Sequence, residues 1–131
     1  MPPPFSQASG LTPFTLVSSA GANPNFLQAG QTQVFLIHAA NLTNSPRFLK
    51  LYDTAIASTS GFFGQSAVQN FALTLASSGS GGVTVISGAG LQQKAGVQFI
   101  NGLALQLTAN LALADQSGIS AGDCAVNIWY R

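Results

Sequence analysis

The chain has 131 residues, the size of a single domain, and is long enough to close one hydrophobic core without disulfides or metals. Asp, Glu, Lys and Arg make up 5% of it, against roughly 25% in an average soluble protein; Glu is absent and the formal net charge is +1. Such a balance supplies no long-range field for acidic ligands, and Arg47, Lys50, Lys94 and Arg131 form no basic stripe, so no nucleic-acid partner is expected. Polarity rests instead on Ser, Thr, Asn and Gln. When such a surface is covered, amides and hydroxyls need only a hydrogen-bond partner, whereas a buried charge is costly unless it is paired. A surface of this kind suits contact with other protein.

Residues 1–30 carry five of the six prolines, Pro2, Pro3, Pro4, Pro13 and Pro24, with isolated aromatics at Phe5, Phe14 and Phe26. Proline fixes φ and removes a backbone donor. The composition predicts an extended N-terminal arm over residues 1–30 that docks through these Phe side chains, followed by a folded domain over residues 31–131. The opening MPPPFSQASG has neither a basic nor a strongly apolar region, so no signal peptide is expected. The longest apolar run is interrupted by Gln106, Thr108 and Asn110, so no membrane span or membrane partner is expected either.

Beyond residue 30 the hydrophobic period is two. TQVFLIHAA (32–40) is apolar on both faces, which predicts a central strand buried on both sides. RFLKLYD (47–53) alternates less cleanly, and DTAIASTSGFFGQSAV (53–68) predicts a long loop exposing Phe62 and Phe63. NFALTL (70–75), GVTVIS (82–87) and GVQFI (96–100) each gather their apolar residues on one face. LALQLTANL (103–111) sets Leu103, Leu105, Leu107 and Leu111 against Gln106, Thr108 and Asn110. DCAVNIWYR (123–131) sets Cys124, Val126, Ile128 and Tyr130 against Asn127, Trp129 and Arg131. PFTLVS (13–18) is a further candidate strand, and Asn101-Gly102 predicts a hairpin turn. The expected fold is all-β: a single antiparallel β-sandwich of jelly-roll or Greek-key type with about eight strands.

Few residues are available for chemistry. His38 is the sole imidazole and Asp53, Asp115 and Asp123 are the sole acids, so neither a hydrolytic triad nor a facing pair of carboxylates is readily assembled. One His and one Cys cannot make a zinc site, and DQSGISAGD lacks the alternating oxygen ligands of a calcium loop. The expectation is a protein that is not an enzyme, with no cofactor and no metal. Three copies meeting on an axis could still bring His38 or Asp115 together around an ion. Otherwise His38 is expected as a core histidine and Cys124 as a small buried hydrophobe.

Three of the seven charged residues, Arg47, Lys50 and Asp53, fall within PRFLKLYD (46–53). On a strand, Arg47, Leu49, Leu51 and Asp53 share one face and Phe48, Lys50 and Tyr52 the other, so the charges do not converge on one atom. The stretch predicts an edge or interface strand, with Lys50 holding its ammonium in solvent and guarding against unwanted pairing. Candidate interface residues are Phe5, Phe14, Phe26, Arg47, Lys50, Phe62 and Phe63.

NLTNSPRFLKLYDTA (41–55), followed by GVQFINGLALQLTANLALADQSGISAGDCAVNIWYR (96–131), resembles small virion proteins of tailed bacteriophages. The shared features are a Pro-Arg-Phe-Leu-Lys-Leu-Tyr-Asp strand, an apolar GLAL-LT strand, an AD-to-GD turn and a closing V-N-I-W-Y strand. The resemblance implies a β-sandwich decoration or cement protein, commonly a homotrimer. Such a protein sits on the outer capsid surface of the virion and clamps neighbouring copies of the major capsid protein. Two other readings stay open: a neck, tail or fibre-associated virion protein, and a carbohydrate-binding module using Phe62, Phe63 or Trp129.

Overall fold

The computed structural model of the chain describes residues 10–55, 68–77, 83–87, 97–112 and 117–131, of which 68–71 and 83–87 enter by their backbone alone. Among these residues there is no helix, and nine strands form two antiparallel sheets. The strands are β1 (Thr12–Val17), β2 (Asn25–Ala29), β3 (Thr32–Asn41), β4 (Arg47–Asp53), β5 (Val68–Leu75), β6 (Val83–Ser87), β7 (Val97–Phe99), β8 (Gly102–Thr108) and β9 (Cys124–Tyr130). One sheet has the order β1-β9-β3-β6, with β7 also pairing β3, and the other β2-β8-β4-β5.

The pairings are nested: β1 with β9, β2 with β8, β3 with β6 and β7, and β4 with β5. A long antiparallel ribbon rolled up so that β9 meets β3 and β8 meets β4 produces this arrangement, the jelly roll. β6 pairs Leu36–Ala40 and β7 pairs Thr32–Val34, so the two lie end to end along one side of β3 and serve together as one strand of the roll.

The core lies between the sheets. β9 alternates strictly, turning Cys124, Val126, Ile128 and Tyr130 inward, and β8 turns Leu103, Leu105 and Leu107 to meet them. β4 contributes Leu49 and Leu51 from the face expected for them. Within β3 the inward residues are Thr32 and Val34, then Ile37, Ala39 and Asn41. The parity changes because the register shifts between Val34 and Leu36, a bulge that turns both Phe35 and Leu36 away from the core. β3 is therefore central but buried on one side, with Gln33, Phe35, Leu36, His38 and Ala40 half-buried on the other, contrary to the expectation from its apolar run. Burial on both sides is found instead in the other sheet, in β8, whose Gln106 and Thr108 are fully covered, and in β4 at Lys50 and Tyr52. β8 ends at Thr108, so Leu111 lies outside it and is 51% exposed.

Two further expectations are corrected. The sandwich begins at Thr12 rather than at residue 31: β1 and β2 lie inside the expected arm. Pro13 sits in a strand because that strand is at a sheet edge, where a missing N–H is tolerated. Asn101-Gly102 does turn the chain, yet β7 and β8 belong to opposite sheets, so the turn crosses the sandwich instead of closing a hairpin. The crossing is tight enough to require glycine: a Cβ on Gly102 would lie 2.3 Å from the Thr54 carbonyl oxygen and 2.7 Å from that of Gln28.

Candidate interaction surface

The described charged side chains are largely engaged within the fold. Arg47 and Asp53 occupy the two ends of the core-facing side of β4, so each reaches across to the other sheet. At one end the Arg47 Nε and Nη2 both donate to Asp123 Oδ2, at 3.3 and 3.2 Å, just before β9 begins. At the other end Asp53 accepts the backbone N–H groups of Ile100 (3.0 Å), Asn101 (2.7 Å) and Gly102 (3.3 Å), fixing the crossing turn. Opposite charges thus stitch both ends of β4 to the facing sheet.

Lys50 is fully buried, and its Nζ donates to the Ala112 carbonyl oxygen at 2.6 Å. β4 lies between β5 and β8 and is not an edge, so the expectation of a solvated, guarding Lys50 is overturned. The carbonyl that receives its head belongs to the segment that follows β8. Directly across the ladder stands Gln106, also buried, which donates to Tyr52 Oη at 3.0 Å and whose Oε1 has no hydrogen-bond partner among the described residues. Burial raises the Tyr52 phenol pKa, and the Gln106 hydrogen bond partly offsets this. Phe26 packs against Tyr52 and Ala104 as part of this second apolar layer, and Phe14 packs inward on the main core. Neither is an arm anchor. Phe5, Phe62 and Phe63 lie outside the described residues.

The outward face of the five-stranded sheet is different. Its register aligns three rows across β1, β9 and β3: Pro13, Trp129 and Leu36; Thr15, Asn127 and His38; Val17, Ala125 and Ala40. None of these nine residues carries a fixed charge. His38 is half-buried here and not in the core, because the bulge at Phe35 reverses the parity of the strand. Thr15 Oγ1 donates to Asn127 Oδ1 at 2.9 Å, giving the face a neutral polar row between two apolar ones. Val17 is 62% exposed. Sequence reasoning placed Asn127 and Trp129 on one face but missed Leu36, His38 and Ala40 as their neighbours, since cross-strand register is not a local signal.

At one end of this face a cleft of about 340 Å³ is lined by Gln31, Gln33, Gln98 and Arg131, with Ile100 at its side. The Arg131 guanidinium lies over the Phe35 ring at 5.0 Å and donates to Gln33 Oε1 at 3.4 Å. Cys124 is fully buried, and burial first, with Asp123 adding to it and Arg47 opposing, pushes its thiol up to about 11. It is therefore protonated and inert at neutral pH. Among the described residues no group of three His, Cys, Asp or Glu side chains is placed to hold a metal ion. Comparison with known proteins finds no family model, no curated protein and no solved structure that matches this chain.

Proposed function

We propose that the chain is a structural virion protein of the capsid-decoration type, which binds the outer surface of a tailed-phage head through the uncharged rows of β1, β9 and β3 on its five-stranded sheet and stabilises neighbouring copies of the major capsid protein. The observation that carries the reading is the contrast in charge placement: the described ionised groups are engaged at the ends and inside of the fold, while three aligned rows of a sheet face carry none. Such a face can be desolvated against protein without stranding a charge. The resemblance of residues 41–55 and 96–131 to small phage virion proteins points the same way. Binding the assembled shell better than its free subunits shifts the equilibrium toward the intact head, and repetition over a lattice adds avidity. In this reading the protein performs no catalysis and takes no cofactor.

The test is co-sedimentation of the purified protein with heads that lack it. The expected result is saturation at a fixed ratio to the shell subunit, lost in Ala125→Lys and Asn127→Lys variants that remain folded. Undiminished binding by both variants overturns the assignment of the face. Occupancy of about a dozen copies or fewer per particle, the number a single ring would take, points instead to a neck or tail position.

The cleft favours a second reading, a carbohydrate-binding module. The carboxamides of Gln31, Gln33 and Gln98 and the Arg131 guanidinium supply the donors and acceptors that sugar hydroxyls require. A glycan array tests it, and binding that disappears in Gln33→Ala supports it.

A further inference from the structure

The side of β1 that pairs with no described strand has a chemistry of its own, which goes beyond the attachment reading and does not depend on it. Ser18 N donates to Cys124 O at 2.9 Å, continuing the register that pairs Thr12 with Tyr130 and Val17 with Ala125. In an antiparallel ladder the backbone groups of successive residues alternate in direction. Thr12, Phe14 and Leu16 therefore turn their N–H and C=O groups toward β9, and Pro13, Thr15 and Val17 turn theirs away. Pro13 falls in the outward set, where its missing donor breaks no bond to β9.

The two described edges nearest the N-terminus differ. β2 is broken by a bulge between Phe26 and Gln28, a device that blunts an edge. β1 keeps one unbroken register over its whole length, exposes Pro13, Thr15 and Val17, and bears no charge. Apart from Pro13, none of the usual protections stands on it among the described residues.

We propose that β1 is a self-association seam, making a dimer where the resemblance implies a homotrimer: the β1 strands of two copies pair antiparallel about a two-fold axis at Thr15, joining their five-stranded sheets into one. In the register that uses the whole outward set, each Thr15 exchanges both backbone bonds with its counterpart. Each Val17 N–H donates to the Pro13 carbonyl of the other copy. The donor that Pro13 lacks then falls opposite Val17 C=O at the margin of the seam, where water can serve that acceptor. A second copy fits this edge because a two-fold axis sets every residue near it against its own kind, and like charges there would repel. β1 has no charge to oppose. The outward rows containing Ala125, Asn127 and Trp129 would continue across both copies as one uncharged face.

Mass measurement by light scattering and sedimentation over a concentration series tests the seam. The expected result is a dimer, with Thr15→Pro raising the dissociation constant at least roughly tenfold, since it removes the central N–H of the seam. The bonds from Thr12, Phe14 and Leu16 to β9 do not involve that N–H, so the variant is expected to keep its fold by circular dichroism. Where it does not, Thr15→Cys decides. Opposed residues in a hydrogen-bonded antiparallel pair have Cα atoms about 5.5 Å apart, within disulfide reach, so mild oxidation should give a covalent dimer on a non-reducing gel. A wild-type monomer at all concentrations, a mass of three copies, a dimer untouched by a folded Thr15→Pro variant, or no cross-link through Thr15→Cys overturns the proposal.

Discussion

In β4 and β8 of the four-stranded sheet, residues on both faces are covered by the chain itself; in β3 and β9 of the five-stranded sheet, one face forms the core and the other stays half open. The composition of the two outer faces does not foretell this. Lys50, Tyr52, Gln106 and Thr108 are more polar than Leu36, Ala40, Ala125 and Trp129, yet the polar set is the one fully buried. The polar set is accommodated by local partners: Lys50 on the Ala112 carbonyl, Gln106 on Tyr52, and Thr108 Oγ1 donating to the Asn110 carbonyl at 2.7 Å. What covers a sheet is decided by where the connecting segments run, and the polar groups beneath them adapt through hydrogen bonds.

The largest expected effect tests the covered face. Lys50→Ala removes a buried side chain and leaves the Ala112 carbonyl without that donor, so urea denaturation should show a loss of about 3–4 kcal/mol. Lys50→Met, which keeps the volume and discards the charge, should recover most of it. An unchanged midpoint for Lys50→Ala would mean that the buried Lys50 and its bond to Ala112 contribute little and that the two outer faces are alike.

Gly102→Ala acts where the two sheets are joined. The added methyl meets backbone carbonyls of Thr54 and Gln28 that cannot move independently, and a loss of about 3 kcal/mol is expected. Hydrogen exchange should show the Asp53 cap opening first, at the amides of Ile100 and Asn101.

The buried side of β9 responds to pH. The Cys124 thiol is raised from its ordinary 9.0 to about 11, so between these values the unfolded chain has released its proton while the folded chain holds it. Stability therefore falls as pH rises through that window, by at most about 3 kcal/mol from this group. The raised phenol of Tyr52 acts in the same direction. Denaturation curves of Cys124→Ala should be less steep in pH by the thiol's share.

The smallest effect is expected on the open face. Leu36→Ser and Trp129→Ser should each cost about 1 kcal/mol or less if no partner covers them, as half-buried surface positions do. A loss equal to that of Lys50→Ala would show that this face supports the core rather than serving a partner.

Much of the fold was legible in the residues. Period two in LALQLTANL and DCAVNIWYR pointed to strands with correct inward sets except for Leu111, and PRFLKLYD was divided into the face of Arg47, Leu49, Leu51 and Asp53 and the face of Phe48, Lys50 and Tyr52, as its pairing with β8 has it. The candidate site was far less legible. Lys50 looked like an edge guard because a lone Lys on a strand is usually solvated. The neighbours of Trp129 were hidden because the bulge at Phe35 shifts β3 by one residue, and no residue there announces it. β2 was missed, and β1, although anticipated as the strand PFTLVS, fell within the expected arm, because five prolines outweighed their short alternating patterns.

The sequence by itself determined that the chain makes short strands, where most of them lie and which residues share a face, because side-chain alternation is a property of the local backbone. Only the tertiary structure decided which faces are covered, which edges stay open and which charges meet. Those depend on segments distant in sequence, as with Arg47 and Asp123, which form an ion pair at 3.2 Å.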